Sequence, residues 1–190
     1  MRRVFLVLCL WLAWVAPTQA QDTATLISDS LEITGDTRLI ADGNVEVFFK
    51  GRRLRAERIV FDQKTDRLEI TGPIVLIDAT GDSVFLASQA EMQADLSEAI
   101  LTSAQLVLNR QLQLAADRIM RVGGRYTSLD TVTASSCKVC KGDPTPLWEI
   151  RARTITHDTT TQQLLFESAQ FRAMGVPLMW LPRLRMPDPT

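Results

Sequence analysis

The feature that most constrains the fold is a period of two in hydrophobicity that recurs along almost the whole chain after residue 21. Residues 44–49 and 53–57 alternate apolar and polar side chains, and no stretch of ten or more residues shows the 3.6-residue period of an amphipathic helix. Turn-forming pairs such as Lys50-Gly51 and Gly81-Asp82 separate the runs. The pattern predicts an all-β protein, a sandwich, roll or barrel. Residues 88–104, although rich in Ala, Glu and Leu, are predicted to be two strands joined near Asp95.

A loose internal repeat supports this prediction. Four segments share the form apolar-x-small-polar-x-apolar, and they start at Leu54, Leu86, Leu114 and Ile150. Repeats of this length predict hairpins that bury their apolar faces by stacking on one another. The small residue of each unit should mark a close approach of facing strands; these residues are Ala56, Ser88, Ala116 and Ala152. Chance recurrence in an Ala-rich β protein is the alternative.

The first twenty residues have the layout of a secretory signal peptide. Arg2 and Arg3 precede an apolar run over residues 4–15. The small residues Thr18 and Ala20 come just before the expected cleavage site, which lies between Ala20 and Gln21. The run is too short for a transmembrane anchor, which needs about 20 apolar residues. Cleavage would leave two cysteines, Cys137 and Cys140, in an oxidising compartment where a disulfide persists.

Composition argues against several functional classes. The formal net charge of −1 shows no clustered basic excess of the kind that nucleic-acid binders need. His157 is the only histidine, so neither a metal site nor histidine acid-base catalysis is expected, and no cofactor is expected. Cys137 and Cys140 fit half of a zinc site, a redox dithiol or a structural disulfide. The disulfide is preferred because zinc would have only His157 as a further ligand, and because a redox dithiol lies at the N-terminus of a helix, whereas Gly142-Asp143-Pro144 follows this pair. The chain is therefore predicted not to be an enzyme.

The large apolar side chains on the inward face are expected to form the core by default. A roll that stays slightly open would instead leave an apolar trough for acyl chains, with two unpaired sheet edges. The candidate lining residues of this trough are Val47, Phe49, Ile59, Phe61, Phe85, Leu106, Leu108, Leu114 and Ile119.

The C-terminal part of the chain differs in composition. Six of the eight prolines follow Lys141, which predicts strands that are interrupted or lie at a sheet edge. Residues 174–190 are apolar and punctuated by proline, and they are predicted to be a connector to a further element.

Several motifs of the second half resemble a known family. The segments that carry the resemblance are Arg125-Tyr126-Thr127, Ser135-Ser136-Cys137-Lys138-Val139-Cys140, Pro146-Leu147-Trp148-Glu149-Ile150-Arg151-Ala152-Arg153, His157-Asp158 and Gly175-Val176-Pro177-Leu178-Met179-Trp180-Leu181-Pro182. They resemble the N-terminal periplasmic OstA-like domain of the LptD family of lipopolysaccharide assembly proteins, within the LptA/LptC/LptD superfamily. Residues 42–47 resemble the repeat that this superfamily shares.

The resemblance implies a β-jelly roll, or β-taco, of about ten to twelve short antiparallel strands over residues 21–173. Such a domain receives lipopolysaccharide from an LptA-like bridge protein by edge-strand addition. It passes the lipid to a transmembrane barrel of the LptD type with its lipoprotein plug, a barrel that we expect to be absent from this chain. The expected location is the periplasm, at the outer membrane. The resemblance further implies that Cys137 and Cys140 bond to each other or to the barrel.

Two other functions stay open at this stage. A roll whose interior is completely filled would favour a purely structural scaffold for a barrel partner. A periplasmic thiol oxidoreductase using Cys137 and Cys140 is the enzymatic alternative.

Overall fold

The computed structural model describes residues 23–35, 37–136 and 146–188, and these residues form one antiparallel sheet without helices. The all-β prediction of ten to twelve antiparallel strands is confirmed. The twelve strands are β1 (Thr25–Ile27), β2 (Ser30–Thr34), β3 (Arg38–Phe49), β4 (Arg52–Asp62), β5 (Arg67–Ile77), β6 (Ser83–Gln93), β7 (Ala99–Leu108), β8 (Leu112–Val122), β9 (Tyr126–Ser135), β10 (Trp148–Asp158), β11 (Gln163–Ala173) and β12 (Val176–Pro187). The two strands predicted within residues 88–104 are β6 and β7, and they are joined at Asp95 as expected. The predicted leader, residues 1–20, lies outside the described residues.

The strand order follows the chain. From β3 to β12 each strand pairs with the next, and β1 and β2 both pair with β3, one with each of its halves. The sheet therefore has two edges, one formed by β1 and β2 and the other by β12. Three prolines lie in β12, Pro177, Pro182 and Pro187. Because proline has no N–H to donate, an edge strand is where a sheet tolerates it, and the edge prediction is confirmed.

The segment predicted as a connector is different in the structure. Val176–Pro187 is a full strand that pairs with β11 from Ala173 back to Gln163. Leu181, Leu184 and Met186 pack against the core from this strand. The proposed domain boundary after residue 173 is therefore wrong for the described part of the chain, because apolar alternation continues through the prolines.

Most of the long strands change phase at their centre. In β4, Leu54 and Ala56 are buried, the next two residues are exposed, and Ile59 is buried again. Six further strands show the same pattern, in which two consecutive residues that are not buried lie between two buried residues. These pairs are Ser88 and Gln89, Thr102 and Ser103, Asp117 and Arg118, Asp130 and Thr131, Arg153 and Thr154, and Glu167 and Ser168. The pairing ladder is interrupted at the matching point of β3, β4 and β5. We call this line of interruptions across the sheet the crease.

The crease explains the sequence repeat. In each repeat the small residue is the last one before the strand bends at the crease. Ala56, Ala116 and Ala152 are all buried at this position. Ser88 differs from these three in being exposed, and Ala87 holds the buried position on β6. Gly72 shows how closely the backbones approach at the crease, since a methyl group on it would lie 2.6 Å from the carbonyl oxygen of Ser88. The repeat therefore marks equivalent bends.

The two halves of each strand face each other across the interior. We call the turns at residues 50–51, 78–82 and 109–111, with the strand ends beside them, lip 1. The turns at 63–66, 94–98, 123–125 and 159–162, with the strand ends beside them, are lip 2. The antiparallel pairing puts the two lips at opposite ends of the strands. Nevertheless, Arg52 of lip 1 donates hydrogen bonds to the backbone oxygens of Asp95 and Leu96 in lip 2, at 3.4 and 3.5 Å. The sheet thus folds along the crease and encloses its own apolar face.

The enclosed face forms one hydrophobic core. Its largest fully buried side chains are Phe166, Leu54, Ile74, Leu101, Leu106, Leu108, Leu114, Ile119, Leu129, Ile155, Leu164 and Val45. Most of them come from strands β6 to β11, where the interior is filled.

Candidate functional site: an apolar cavity at the sheet edge

An apolar cavity of about 220 Å³ lies inside the roll, beside the edge formed by β1 and β2. Strands β3, β4 and β5 provide most of its wall, and the turn at 94–98 closes it from lip 2. Its lining residues are all apolar: Ala24, Leu26, Leu39, Ala41, Val47, Phe49, Ile59, Phe61, Leu68, Ala94 and Leu96. A surface of this kind favours an apolar ligand, because it offers almost no hydrogen-bond partners to water.

The interior is open here because the edge strands are short. β1 pairs with only three residues of β3 and β2 with only five, so neither covers the face as a full-length strand would. On β2, Leu31 and Ile33 lie opposite Ala41 and Leu39 and therefore share the inward face. They are nevertheless 55% and 70% exposed. The apolar surface thus continues from the cavity to the open edge.

The structure divides the predicted trough residues into two groups. Val47, Phe49, Ile59 and Phe61 line the cavity together, as the alternation pattern predicts. Five others are at most 3% exposed and belong to the filled core: Phe85, Leu106, Leu108, Leu114 and Ile119. None of these five lines the cavity.

Sequence reasoning missed part of the wall. Leu39 and Leu68 lie on the inward face opposite Phe61, so a complete pairing scheme would have found them. Leu26 comes from a three-residue strand and Leu96 from a turn. No local pattern in the sequence marks these two.

Charged side chains join the two lips next to the cavity. The Arg52 Nε donates to Asp78 Oδ1 at 2.9 Å, and an Arg121 Nη donates to Asp78 Oδ2 at 3.2 Å. Arg121 comes from lip 2, is 6% exposed, and its guanidinium lies 5.7 Å from the centre of the Phe85 ring. We call Arg52, Asp78 and Arg121 the clasp. Burial of Asp78 opposes its ionisation, but Arg121, the Ala79 N–H and Arg52 together hold its pKa below the ordinary value.

The rim of the cavity carries two cations on lip 1 and one carboxylate on lip 2. The Lys50 Nζ lies 5.1 Å from the centre of the Phe49 ring, and Phe49 lines the cavity. Arg52 reaches the backbone of Leu96, another lining residue. Across the gap, hydrogen bonds from Ser97, with the positive charges of Lys50 and Arg52, lower the pKa of Asp95. The rim is therefore polar and charged although the cavity is apolar.

The contacts of His157 indicate a structural role. Its Nε2 lies 2.8 Å from Asp188 Oδ2, and both side chains are almost fully buried. The pair connects the end of β10 to the residue that follows β12. Within the described ranges no group of three or more His, Cys, Asp or Glu side chains has a metal-binding arrangement.

The cysteine prediction lies outside the described residues, since both Cys137 and Cys140 fall between residues 136 and 146. Their bonding stays a prediction. Among residues 23–35, 37–136 and 146–188 there is no helix long and apolar enough to cross a membrane.

Comparison with known proteins supports the resemblance seen in the motifs. No family model matches the chain. Proteins named LPS-assembly protein LptD match it from Nitrosococcus oceani (23% identity, 84% of this chain), Burkholderia thailandensis (23%, 85%) and Aliivibrio fischeri (20%, 88%). The chain spans only about a fifth of the length of these relatives. The predicted resemblance to LptD proteins is confirmed.

One solved structure is similar over 91% of this chain, with 15% identity and a TM-score of 0.30. It is the crystal structure of LptH from Pseudomonas aeruginosa, described as the LptA-homologous periplasmic component of the lipopolysaccharide transport device.

Proposed function

We propose, from the similarity to LptD proteins, that this chain is a non-enzymatic module for lipopolysaccharide transport and assembly. It holds acyl chains in an apolar groove of its β-roll and passes the lipid from a periplasmic bridge to the outer membrane. The curated relatives are named for lipopolysaccharide assembly, and the chain covers a fifth of their length. A chain that covers a fifth of the length of its relatives is in keeping with a single module of a longer transport path.

The apolar cavity is the observation that carries this proposal. It opens through the exposed Leu31 and Ile33 to a sheet edge, so an acyl chain has a continuous apolar surface to follow. Burial of acyl surface stabilises such a complex by about 25 cal/mol per Å². An acyl chain needs no hydrogen-bond partners, and the cavity wall provides almost none.

The two sheet edges suit the two partners that we propose. Strands β1 and β2 form the edge beside the cavity, and a like-folded bridge protein of the LptA type would add its strand there. Strand β12 forms the other edge, where a barrel of the LptD type with its lipoprotein plug would connect. The proposed location is the periplasm, at the outer membrane, with residues 1–20 as the leader.

A structural scaffold is the second candidate, and the filled interior of β6 to β11 favours it. Leu106, Leu114 and Ile119 are completely buried, so this part of the roll leaves little room for a ligand. In that case the cavity would be a packing defect near a poorly covered edge. The thiol oxidoreductase alternative depends on Cys137 and Cys140 alone.

Photo-crosslinking separates transport from scaffold. A photoreactive amino acid at Phe49 or Phe61 should capture lipopolysaccharide, because both side chains line the cavity. The same amino acid at Leu108 should capture none, because that side chain is 2% exposed in the filled core. Captured lipid is detected as a mobility shift that reacts with an antibody to lipopolysaccharide.

Positions on the outer face are the controls. Glu46 and Arg55 lie opposite each other on neighbouring strands and point away from the interior. Capture from these two positions with none from Phe49 and Phe61 would refute the groove.

A further inference from the structure

The hairpin of β11 and β12 exposes large apolar side chains at its turn. Met174 of the turn is 71% exposed and has a φ of 47°, a conformation for which hairpin turns usually use Asn, Asp or Gly. By contrast, polar residues and glycine alone make up the turns at 50–51, 63–66, 109–111, 123–125 and 159–162. We call the exposed apolar residues at this end of the hairpin the hairpin patch; they are Leu147, Met174, Val176, Leu178, Met179 and Trp180. Clustered exposed apolar residues of this kind mark an interaction surface.

Hydrogen bonds hold the hairpin patch in place. The Met174 N–H donates to the carbonyl oxygen of Leu147 at 3.0 Å, and an Arg172 Nη donates to that of Gly175. The Arg172 Nε lies 3.2 Å from Glu149 Oε1, and the Glu149 side chain is almost fully buried. The exposed side chains therefore belong to an ordered hairpin, and the charges beside them are paired with each other.

The apolar side chains point to both faces of the sheet. Met179 lies opposite Phe171, which packs against the core, so Met179 is on the inward face. Trp180 lies opposite Gln170 and is on the outward face. A protein partner docked on one face would leave the other in water, whereas a lipid surface surrounds the whole end of the hairpin.

The backbone of β12 is also suited to a lipid surface. Pro177 and Pro182 have no N–H, so neither can donate a hydrogen bond to an added strand. Beside lipid the same feature is favourable, because an unpaired N–H in an apolar medium costs free energy.

The order of residue types along β12 matches the layers of a membrane surface. Apolar residues come first, then Trp180, and then Arg183 and Arg185. At about 3.3 Å per residue, the two arginines lie about 10 and 17 Å beyond Trp180 along the strand. Tryptophan favours the boundary between acyl chains and headgroups, and arginine is attracted to anionic headgroups. Neither arginine forms an ion pair with another residue of the described ranges.

We propose that the hairpin patch inserts into the surface of an anionic lipid membrane. Insertion stops about 5–10 Å deep, at the boundary between acyl chains and headgroups, because an open sheet edge is not tolerated in the hydrocarbon core. Strands β10 to β12 contain five arginines and three carboxylates, in a chain whose net charge is −1, so this part of the protein favours negative lipids. The contact is made directly with lipid, and it depends neither on the acyl cavity nor on a barrel partner.

Trp180 itself is the reporter for the test. The purified full-length protein is mixed with vesicles of equimolar phosphatidylcholine and phosphatidylglycerol whose phosphatidylcholine chains carry bromine, which quenches tryptophan fluorescence. The Trp180 signal is the difference between wild type and Trp180→Phe. Bromine near the headgroup should quench this signal more than bromine near the chain ends, because the ring lies at the boundary. The corresponding difference for Trp148→Phe should not be quenched, since Trp148 is half-buried and stacks on Phe171.

Two valines of equal exposure provide a matched pair of variants. Val176 of the hairpin patch and Val122 at the opposite end of the strands are both 57% exposed. Val176→Ser should weaken vesicle binding about fivefold, whereas Val122→Ser should leave it unchanged.

Charge is tested in the same way. Arg183→Gln and Arg185→Gln should each weaken binding to the anionic vesicles about fivefold and change little with phosphatidylcholine alone. Arg55→Gln, on the outer face of β4, should match the wild type. Thermal unfolding of each variant shows whether its fold is intact.

Two results would overturn the membrane contact: a Trp180 signal that bromine does not quench, or equal effects of Val176→Ser and Val122→Ser on vesicle binding. Sedimentation velocity covers the remaining possibility. A dimer that Val176→Ser dissociates, together with no quenching of Trp180, would assign the hairpin patch to a contact between copies of the protein and refute the proposal.

Discussion

Strands β1 to β5 and strands β6 to β11 share one alternating pattern but enclose different interiors. In the second region, Leu106, Leu114 and Ile119 have no exposed surface. In the first region, Leu54 and Ile74 are equally buried. Val47, Phe49 and Phe61, however, are only half-buried and line a cavity. The residues are of similar type and size in both regions, so the difference does not come from composition.

The difference comes from how completely each strand is covered. Every strand from β4 to β11 has a neighbour of ten or more residues on each side. The inward residues of β4 and β5 nevertheless border a cavity where they share it with Leu26 of the short strand β1, as Phe61 and Leu68 do. Strand β3 has only β1 and β2 beyond it, of three and five residues. A period of two decides which side chains face inward, whereas the short edge strands β1 and β2 leave some of those side chains beside open space.

Leucine truncation should show the largest contrast between the regions. Leu114→Ala removes a completely buried side chain from the filled core and should lower the free energy of unfolding by about 3 kcal/mol. Leu39→Ala makes the same change in the cavity wall and should cost about 1 kcal/mol, because part of that side chain is already unpacked. Urea unfolding followed by circular dichroism measures both.

Wild-type protein and the outer-face variant Arg55→Gln, measured in parallel, provide the reference. Equal losses for Leu114→Ala and Leu39→Ala would mean that the two interiors are packed alike.

A smaller effect is expected from pH, through the clasp that joins the two lips. The pKa of Asp78 is lower in the folded protein than its ordinary value of about 3.9, so its ionised form stabilises the fold. That contribution is complete well above pH 4 and is lost as the pH falls through the ordinary value towards the folded one. Unfolding free energies measured between pH 6 and about pH 2.5 should therefore fall on acidification.

Asp78→Asn is the matched variant, because it keeps the shape of the side chain and cannot ionise. It should be less stable than wild type at neutral pH by about 1–3 kcal/mol, and the gap should narrow as the solution is acidified. A constant gap across this range would show that the carboxylate charge of Asp78 contributes nothing to closing the lips.

The sequence predicts the fold well because alternation and turn residues are local signals. The strand count, the split of residues 88–104 and the proline-rich edge all follow from them. The failures have physical causes too. Residues 174–190 continue the alternation through prolines that an edge strand tolerates, so the predicted connector is a strand.

The candidate site was only partly predictable. Alternation identifies Val47, Phe49, Ile59 and Phe61 as inward residues, but equally identifies Leu106 and Leu114, which lie in the filled core. Which residues border empty space depends on coverage by β1 and β2, a tertiary property. The clasp joins residues 26 and 43 positions apart, and no local pattern reveals such pairs.

The central claim is that one end of this roll is open to an acyl chain and the other is filled. The most direct test is a methyl-labelled NMR titration of the protein with dodecyl maltoside. Chemical shift changes should be largest at the methyl groups of Leu39, Ile59 and Leu68, which line the cavity, and small at those of Leu106, Leu114 and Ile119. Changes of equal size in both groups, or changes confined to the second group, would contradict the account.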